Sequence, residues 1–135
     1  MLLKKLFNIT DPADLSGLSK AGSIGRCAIP GVELEVRRQD GGLCDPGEVG
    51  EICLRSAAMM QGYLDNPDAT AAVLDDQGWY RSGDLARVDE DGYLYIVDRL
   101  KDMIVTGGEN VYSKEVEDVL CTHPDVQDVA VIGRP

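Results

Sequence analysis

Metal binding and nucleophilic catalysis usually depend on cysteine and histidine, and this sequence has few of either. No CxxC pair occurs and His123 is the only imidazole, so a zinc site would need an unusual ligand set. Any triad built on Ser or Cys would rest on His123 alone, whose place before Pro124 favours a cap or a surface role. We therefore expect scattered reduced thiols at Cys27, Cys44, Cys53 and Cys121.

Charged side chains between residues 84 and 101 offer other chemistry. Asp84 presents two acceptor oxygens, and Arg99 presents a planar, permanently charged fork that can hold hydroxyl and phosphate oxygens. On residue type alone, Asp84 is better explained as a turn residue after Gly83. Arg99 has an equally simple explanation as a surface partner of Asp98 or Asp102, an ion pair worth little.

A glycine pair at Gly107 and Gly108 permits close backbone approach and positive φ. It makes a poor phosphate cradle, because it lacks the following Lys and helix N-terminus of a P-loop. A simple hairpin turn is the alternative.

The elements that must position these residues are mostly β. Residues 32–36 alternate apolar and polar and predict a strand, and turns at 40–42 and 46–47 lead to a return strand over 49–55. Asn66 as N-cap before Pro67 predicts a short helix ending near 77–78. Further along, 87–88 and 93–97 flank Asp91-Gly92, a hairpin signal.

The last third of the chain predicts a hairpin, a helix and a strand. The hairpin has arms 103–106 and 110–112, and Ser113 is the expected cap of the helix that follows. Val116, Val119 and Leu120 form an i, i+3, i+4 apolar stripe along this helix. Residues 126–132 predict a buried strand, whereas residues 1–22 predict a lead-in loop.

Composition excludes some classes of partner. The 135 residues carry a formal charge of −11 and are 44% hydrophobic, which disfavours nucleic acid and anionic membrane surfaces. No apolar run approaches the roughly 18 residues of a membrane span, and residues 1–7 are too short for a signal peptide. We expect a cytosolic, cytoplasmic protein.

Four ordered groups of motifs give the sequence a specific resemblance over about residues 22–135. It resembles the adenylate-forming family of acyl-CoA synthetases, aryl-CoA ligases, luciferases and peptide-synthetase adenylation domains. The motifs are GSIGR (22–26) with PGV (30–32), PGEVGEI (46–52), GY (62–63) with NPDAT (66–70) and GWYRSGDL (78–85), and DR (98–99) with GGENVY (107–112).

The resemblance implies a β-rich α+β fold. Residues 1–22 are then a lead-in segment, 23–100 a small distorted β-barrel-like end of the large AMP-binding domain, and 101–135 a hinge with a truncated C-terminal domain. The reaction implied is an acid–thiol ligation: a fatty or aryl carboxylic acid, ATP and CoA give acyl-CoA, AMP and pyrophosphate. Mg²⁺ serves the parent enzyme, but its ligand is absent from this sequence.

Individual roles also follow from the resemblance. Asp84 matches the residue that accepts hydrogen bonds from both ribose hydroxyls, and Arg99 matches a second nucleotide contact. Tyr80 resembles an adenine- or ribose-side wall, with plain core as the alternative. Lys101 matches the hinge, unless it is simply solvated. The loop lining the CoA channel matches Gly107, Gly108 and Glu109.

Several parts of the family's machinery are missing from these residues: the triphosphate loop, the adenine- and magnesium-binding segment and the C-terminal catalytic lysine. Val105 also stands where some members have a lysine for the second half-reaction. We expect no complete catalytic site and an inactive chain. The alternative is a non-catalytic interaction module that self-associates or pairs with a missing N-terminal half.

Overall fold

The fold is taken from a computed structural model, which describes residues 20–27 and 30–134. Most of the predicted lead-in segment, residues 1–19, lies outside the described residues.

Four antiparallel strands form the main sheet in the order β1-β2-β3-β4. Their bounds are Val32–Arg37 for β1, Val49–Ser56 for β2, Tyr80–Val88 for β3 and Leu94–Arg99 for β4. The predicted β-rich α+β class is confirmed. Within the described residues the sheet stays open, because β1 and β4 lie at opposite edges and do not pair with each other.

One face of this sheet carries the core and the other carries charge. Val36, Ile52, Leu54, Ala86 and Leu94 form the buried apolar cluster, as period-two alternation requires. The opposite face presents the charged residues of β1, β2 and β3 and covers Trp79, whose ring lies within cation–π distance of two guanidinium groups. Those groups lie 4.3 Å and 4.5 Å from the ring centroid and belong to Arg37 and Arg55.

The helix α1 (Pro67–Val73) follows the predicted start but ends early. Asn66 is its N-cap, and the Asn66 side chain accepts a hydrogen bond from Ala69 N at 3.1 Å. The predicted end near 77–78 is wrong, because Leu74 is extended and forms a β-bridge with Tyr80. The pairing of Leu74 with β3 therefore ends the helix earlier than the sequence predicts.

Strand β3 is longer than its pattern indicates. The sequence favours a turn at Asp84 after Gly83, so it does not predict that Ser82, Gly83 and Asp84 lie within a strand. The strand nevertheless runs from Tyr80 to Val88 and accommodates those three residues in an irregularity of its pairing with β2.

A separate two-stranded hairpin follows the sheet. Strands β5 (Ile104–Thr106) and β6 (Glu109–Val111) pair antiparallel, which confirms the predicted hairpin. Its two turn residues, Gly107 and Gly108, have φ of 60° and 84°, which fits the glycine preference of tight hairpin turns.

Helix α2 (Ser113–Leu120) begins at its expected cap residue, one residue earlier than the sequence predicts. The prediction that Ser113 caps it is wrong: Tyr112 occupies the N-cap position without a side-chain bond, and Ser113 is the first helical residue. The Ser113 hydroxyl instead donates to Asp98 of β4 at 2.9 Å, because that buried carboxylate lies beside the start of the helix.

The predicted strand over residues 126–132 is also wrong. These residues form no β-ladder, and Ile132 is 79% exposed. Val131 N donates to the Glu117 carboxylate at 2.9 Å instead of to a neighbouring strand. An apolar run becomes a strand only where another backbone pairs with it, and the described residues offer none here.

Candidate functional site

Asp84 and Arg99 are direct neighbours across two strands. Their Cα atoms pair in the β3–β4 ladder, and Arg99 Nε lies 3.4 Å from Asp84 Oδ1. Neither Asp98 nor Asp102 is the ion-pair partner of Arg99, contrary to the simpler interpretation of the sequence; Asp98 only accepts from the Arg99 backbone N at 2.7 Å. The structure thus brings together two predicted site residues that lie 15 positions apart.

This pair is loosely held and accessible. The Arg99 side chain is 50% exposed and the Asp84 side chain 17%, and half-exposed ion pairs contribute little to stability. Arg99 and Asp84 can therefore each leave the other and contact a polar ligand instead.

An open groove runs along the same edge of the sheet. It has a volume of about 380 Å³. Its lining consists of two short segments that face each other: Ser82, Gly83 and Asp84 from β3, and Arg99, Leu100 and Lys101 from the end of β4.

The β3 side of the groove is a bulge. Glu51 of β2 pairs with Leu85 and Cys53 pairs with Arg81, so two steps along β2 face four steps along β3. Ser82, Gly83 and Asp84 consequently have no partner in the β2–β3 ladder, although Asp84 still pairs with Arg99 of β4. Gly83 adopts φ of +74°, a conformation that disfavours any residue with a Cβ.

Hydrogen bonds from two sides hold the bulge. Gly83 N donates to Glu51 Oε1 at 3.0 Å, and the Gly83 carbonyl accepts from Leu100 N at 2.8 Å. Asp84 N donates to Ser82 Oγ at 3.1 Å. The arrangement leaves the Asp84 carboxylate facing Arg99.

Lys101 lies at the rim of the groove in the turn after β4. It is exposed, and the turn is closed by bonds from Asp102 N and Met103 N to the Arg99 carbonyl at 3.0 Å and 3.1 Å. Because Lys101 is exposed, a change in its backbone dihedral angles would break few packing contacts.

Tyr80 and the glycine hairpin lie away from the groove. Tyr80 packs partly against the core cluster, and burial, followed by the neighbouring Tyr63 hydroxyl, raises its pKa. Gly107, Gly108 and Glu109 are exposed and are not among the residues that line the groove. The structure thus gathers Asp84, Arg99 and Lys101 only.

Asp98 is the residue that sequence reasoning missed. It is only 7% exposed and accepts hydrogen bonds from Ser113 Oγ at 2.9 Å and Lys114 N at 3.3 Å. A carboxylate on β4 thus satisfies donors at the N-terminus of α2, where negative charge is favourable. No local pattern could have revealed this contact, because its partners lie on opposite sides of the turn at 100–102.

The cysteines are free thiols and His123 lies at the surface, as the sequence predicts. All four cysteines are free thiols, and burial raises the pKa of Cys53 to about 11. His123 is exposed, and its Nδ1 accepts from Asp125 N at 3.2 Å in a surface turn.

Neither a metal cluster nor a membrane helix occurs in the part of the chain that the structure describes. Across residues 20–27 and 30–134, no three His, Cys, Asp or Glu side chains come together to hold a metal ion. Over the same ranges, no helix is long and apolar enough to cross a bilayer.

Comparison with known sequences finds one matching family, described as AMP-binding enzyme, over residues 6–64. A long-chain-fatty-acid–CoA ligase of Mycobacterium tuberculosis, FadD13, is 48% identical over 118 residues. Feruloyl-CoA synthase of an Amycolatopsis species is 50% identical over 117 residues. The matches cover 87% and 85% of this chain but 23% and 24% of those relatives. The chain thus spans about a quarter of their length.

Solved structures likewise match most of this chain but only about a quarter of their own length. The amide bond synthetase McbA of Marinactinospora thermotolerans superposes with a TM-score of 0.75 at 47% identity, over 84% of this chain and 23% of that one. The o-succinylbenzoate CoA synthetase MenE of Bacillus subtilis, in complex with AMP, gives 0.79 at 37% identity, over 93% and 25%.

Proposed function

Because this chain belongs to the adenylate-forming, AMP-binding family of enzymes, we propose that it supplies the ribose contact and hinge of an ATP-dependent acyl-CoA synthetase. Such an enzyme converts a carboxylic acid, ATP and CoA to acyl-CoA, AMP and pyrophosphate. The observation that supports the proposal is the Asp84–Arg99 pair, held at an open groove with a separation of 3.4 Å.

The ribose contact uses the carboxylate of Asp84. Two acceptor oxygens suit the two vicinal hydroxyls of a ribose, each of which can donate one hydrogen bond. Arg99 is half exposed, so its guanidinium can turn from Asp84 toward a phosphate or hydroxyl oxygen of the same nucleotide. Tyr80 then supports the strand from the core side rather than forming a wall of the nucleotide site.

The hinge lies at Lys101, between a unit of residues 23–100 and a unit of residues 101–135. Hinges are short exposed segments that absorb large changes in φ and ψ. In this pose the unit after Lys101 is tied back by the bonds from Ser113 and Lys114 to Asp98, which a rotation must break. The loop of Gly107, Gly108 and Glu109 lies beyond the hinge, so rotation can carry it toward a CoA channel.

The substrate class we propose is a fatty or aryl carboxylic acid. Support comes from the relatives named above, one a long-chain-fatty-acid ligase and the other a feruloyl-CoA synthase. We expect the present chain alone not to turn over, because three quarters of such a relative's length has no counterpart in it. Acid-dependent pyrophosphate release by the purified chain would contradict this expectation.

Nucleotide binding tests the assignment directly. We expect AMP to perturb the amide NMR signals of residues 82–84 and 99–101 with affinity no tighter than about millimolar, roughly −4 kcal/mol. Asp84→Ala should abolish the perturbation, whereas Asp76→Ala, which removes an exposed carboxylate outside the groove, should leave it unchanged. Equal AMP binding by wild type and Asp84→Ala would refute the ribose contact.

The alternative, an interaction module that self-associates through an unpaired edge strand, has lost its original support. It rested on a strand over 126–132, and those residues form no strand. We therefore retain the synthetase assignment, and a monodisperse monomer in sedimentation would argue further against self-association.

A further inference from the structure

A buried glutamate on the neighbouring strand holds the groove in shape. Glu51 of β2 is 8% exposed, although a carboxylate is costly to bury without partners. Both of its oxygens are occupied. Oε1 accepts from Gly83 N at 3.0 Å, and Oε2 accepts from Arg81 Nε at 2.9 Å and lies 2.7 Å from Arg81 Nη2.

These contacts reach the bulge at its central residue. Gly83 is the central residue of the bulge and has positive φ, and its amide has no ladder partner because the β2–β3 register skips residues 82–84. Without Glu51 that half-buried amide would lose its acceptor, and such a group tends to move toward water or another partner. The bulge would then have several conformations instead of one.

We propose that Glu51 is a positioning residue that fixes the bulge and thereby sets where the Asp84 carboxylate stands relative to Arg99. Glu51 acts through Gly83 N and does not line the groove. The inference rests on the proposed nucleotide contact of Asp84 only for its functional consequence.

A purely structural role for Glu51 makes a different prediction. If the glutamate matters only as one half of an ion pair, then removing Arg81 should be equivalent to removing Glu51. If it acts through Gly83, then Arg81→Met should be mild, because that variant retains the bond from Gly83 N. Glu51→Gln should lie between, since its amide carbonyl can still accept from Gly83 N while its amino group cannot accept from Arg81.

Two readouts on the full 135-residue chain separate these cases. The first is hydrogen exchange at the Gly83 amide, which we expect to accelerate about tenfold or more in Glu51→Ala and less than about threefold in Arg81→Met. The second is AMP affinity by NMR titration, expected to fall about tenfold in Glu51→Ala and less than threefold in Arg81→Met.

Glu33→Ala is the matched control. Glu33 is a glutamate on the same face of the sheet that also pairs with an arginine, Arg55, at 2.9 Å and 2.6 Å, but it lies away from the bulge. Gly83 exchange and AMP affinity should both remain within about twofold of wild type.

The outcomes are distinct. Equal Gly83 exchange in wild type and Glu51→Ala would overturn the positioning role, as would equal effects of Glu51→Ala and Arg81→Met. If wild type binds no AMP, the proposed nucleotide contact fails, and Gly83 exchange alone then decides whether Glu51 holds the bulge. Should Glu51→Ala not fold, the comparison of Glu51→Gln with Arg81→Met gives the same decision.

Discussion

Truncating Asp98 should release helix α2 from the sheet without unfolding the sheet itself. Asp98 is the buried acceptor for two donors beyond the turn at 100–102, Ser113 Oγ at 2.9 Å and Lys114 N at 3.3 Å. The apolar contribution of the helix is weak by comparison, because Val119 is 69% exposed and Leu120 43%. The carboxylate is therefore the main attachment.

The size of the effect follows from the bonds. A hydrogen bond to a charged acceptor contributes about 1.5 to 3 kcal/mol, and the longer Lys114 bond belongs at the low end. Asp98→Ala loses both bonds and leaves the buried Ser113 hydroxyl without an acceptor, so we expect about 3 kcal/mol, or roughly a 150-fold rise in the opening constant of α2. Ser113→Ala loses one bond, and about tenfold is expected.

Native-state hydrogen exchange measures this local opening, because exchange reports the free energy of each cooperative segment. Amides of α2 should accelerate by the stated factors, whereas those of Ile52 and Ala86 in the sheet core should change much less. Asp102→Ala removes an exposed carboxylate four residues further along and controls for charge. Exchange of α2 within about threefold of wild type in Asp98→Ala would refute the attachment.

Two further predictions concern pH and backbone conformation. The Lys20 ammonium lies 2.6 Å from the Asp89 carboxylate and is the main cause that lowers the pKa of Asp89 from its ordinary 3.8 to about 2. Because the pKa of Asp89 is lower in the folded state, the ion pair stabilises the fold fully above about pH 4, and this stabilisation disappears as pH falls through 2. Lys20→Ala should raise the Asp89 pKa toward 3.8 in a carboxyl NMR titration, and an unchanged value would contradict the pairing. Gly108→Ala should destabilise the β5–β6 hairpin by about 1 kcal/mol in hydrogen exchange, because φ is +84° with open space around the Cβ position. Gly108→Asn should cost less, since Asn tolerates this conformation, and equal costs would point to a cause other than φ.

Local signals in the sequence predicted much of the fold. Alternation over residues 32–36 identified β1, Asn66 before Pro67 identified the start of α1, and the glycine pair at 107–108 identified the β5–β6 turn. Each of these signals is carried by a few adjacent residues whose own φ, ψ or capping preference determines the local structure. The ordered motifs likewise identified the family from the sequence alone.

Tertiary structure decided the features that depend on distant partners. Residues 82–84 have the composition of a turn but lie within β3, because Glu51 and Leu100 satisfy the backbone of Gly83. Residues 126–132 have the composition of a strand but lack a neighbour to pair with. The sequence predicts Ser113 as the cap of α2, but the Ser113 hydroxyl donates to the Asp98 carboxylate, 15 residues earlier, instead.

The sequence by itself therefore determined the residue types of the candidate site and the elements whose geometry is local. Only the folded chain decided that Asp84 and Arg99 face each other at 3.4 Å and that Glu51 and Asp98 hold the elements around them. The physical reason is that a backbone ladder or a buried carboxylate is stable only when its partner is present, and the sequence does not specify that partner locally.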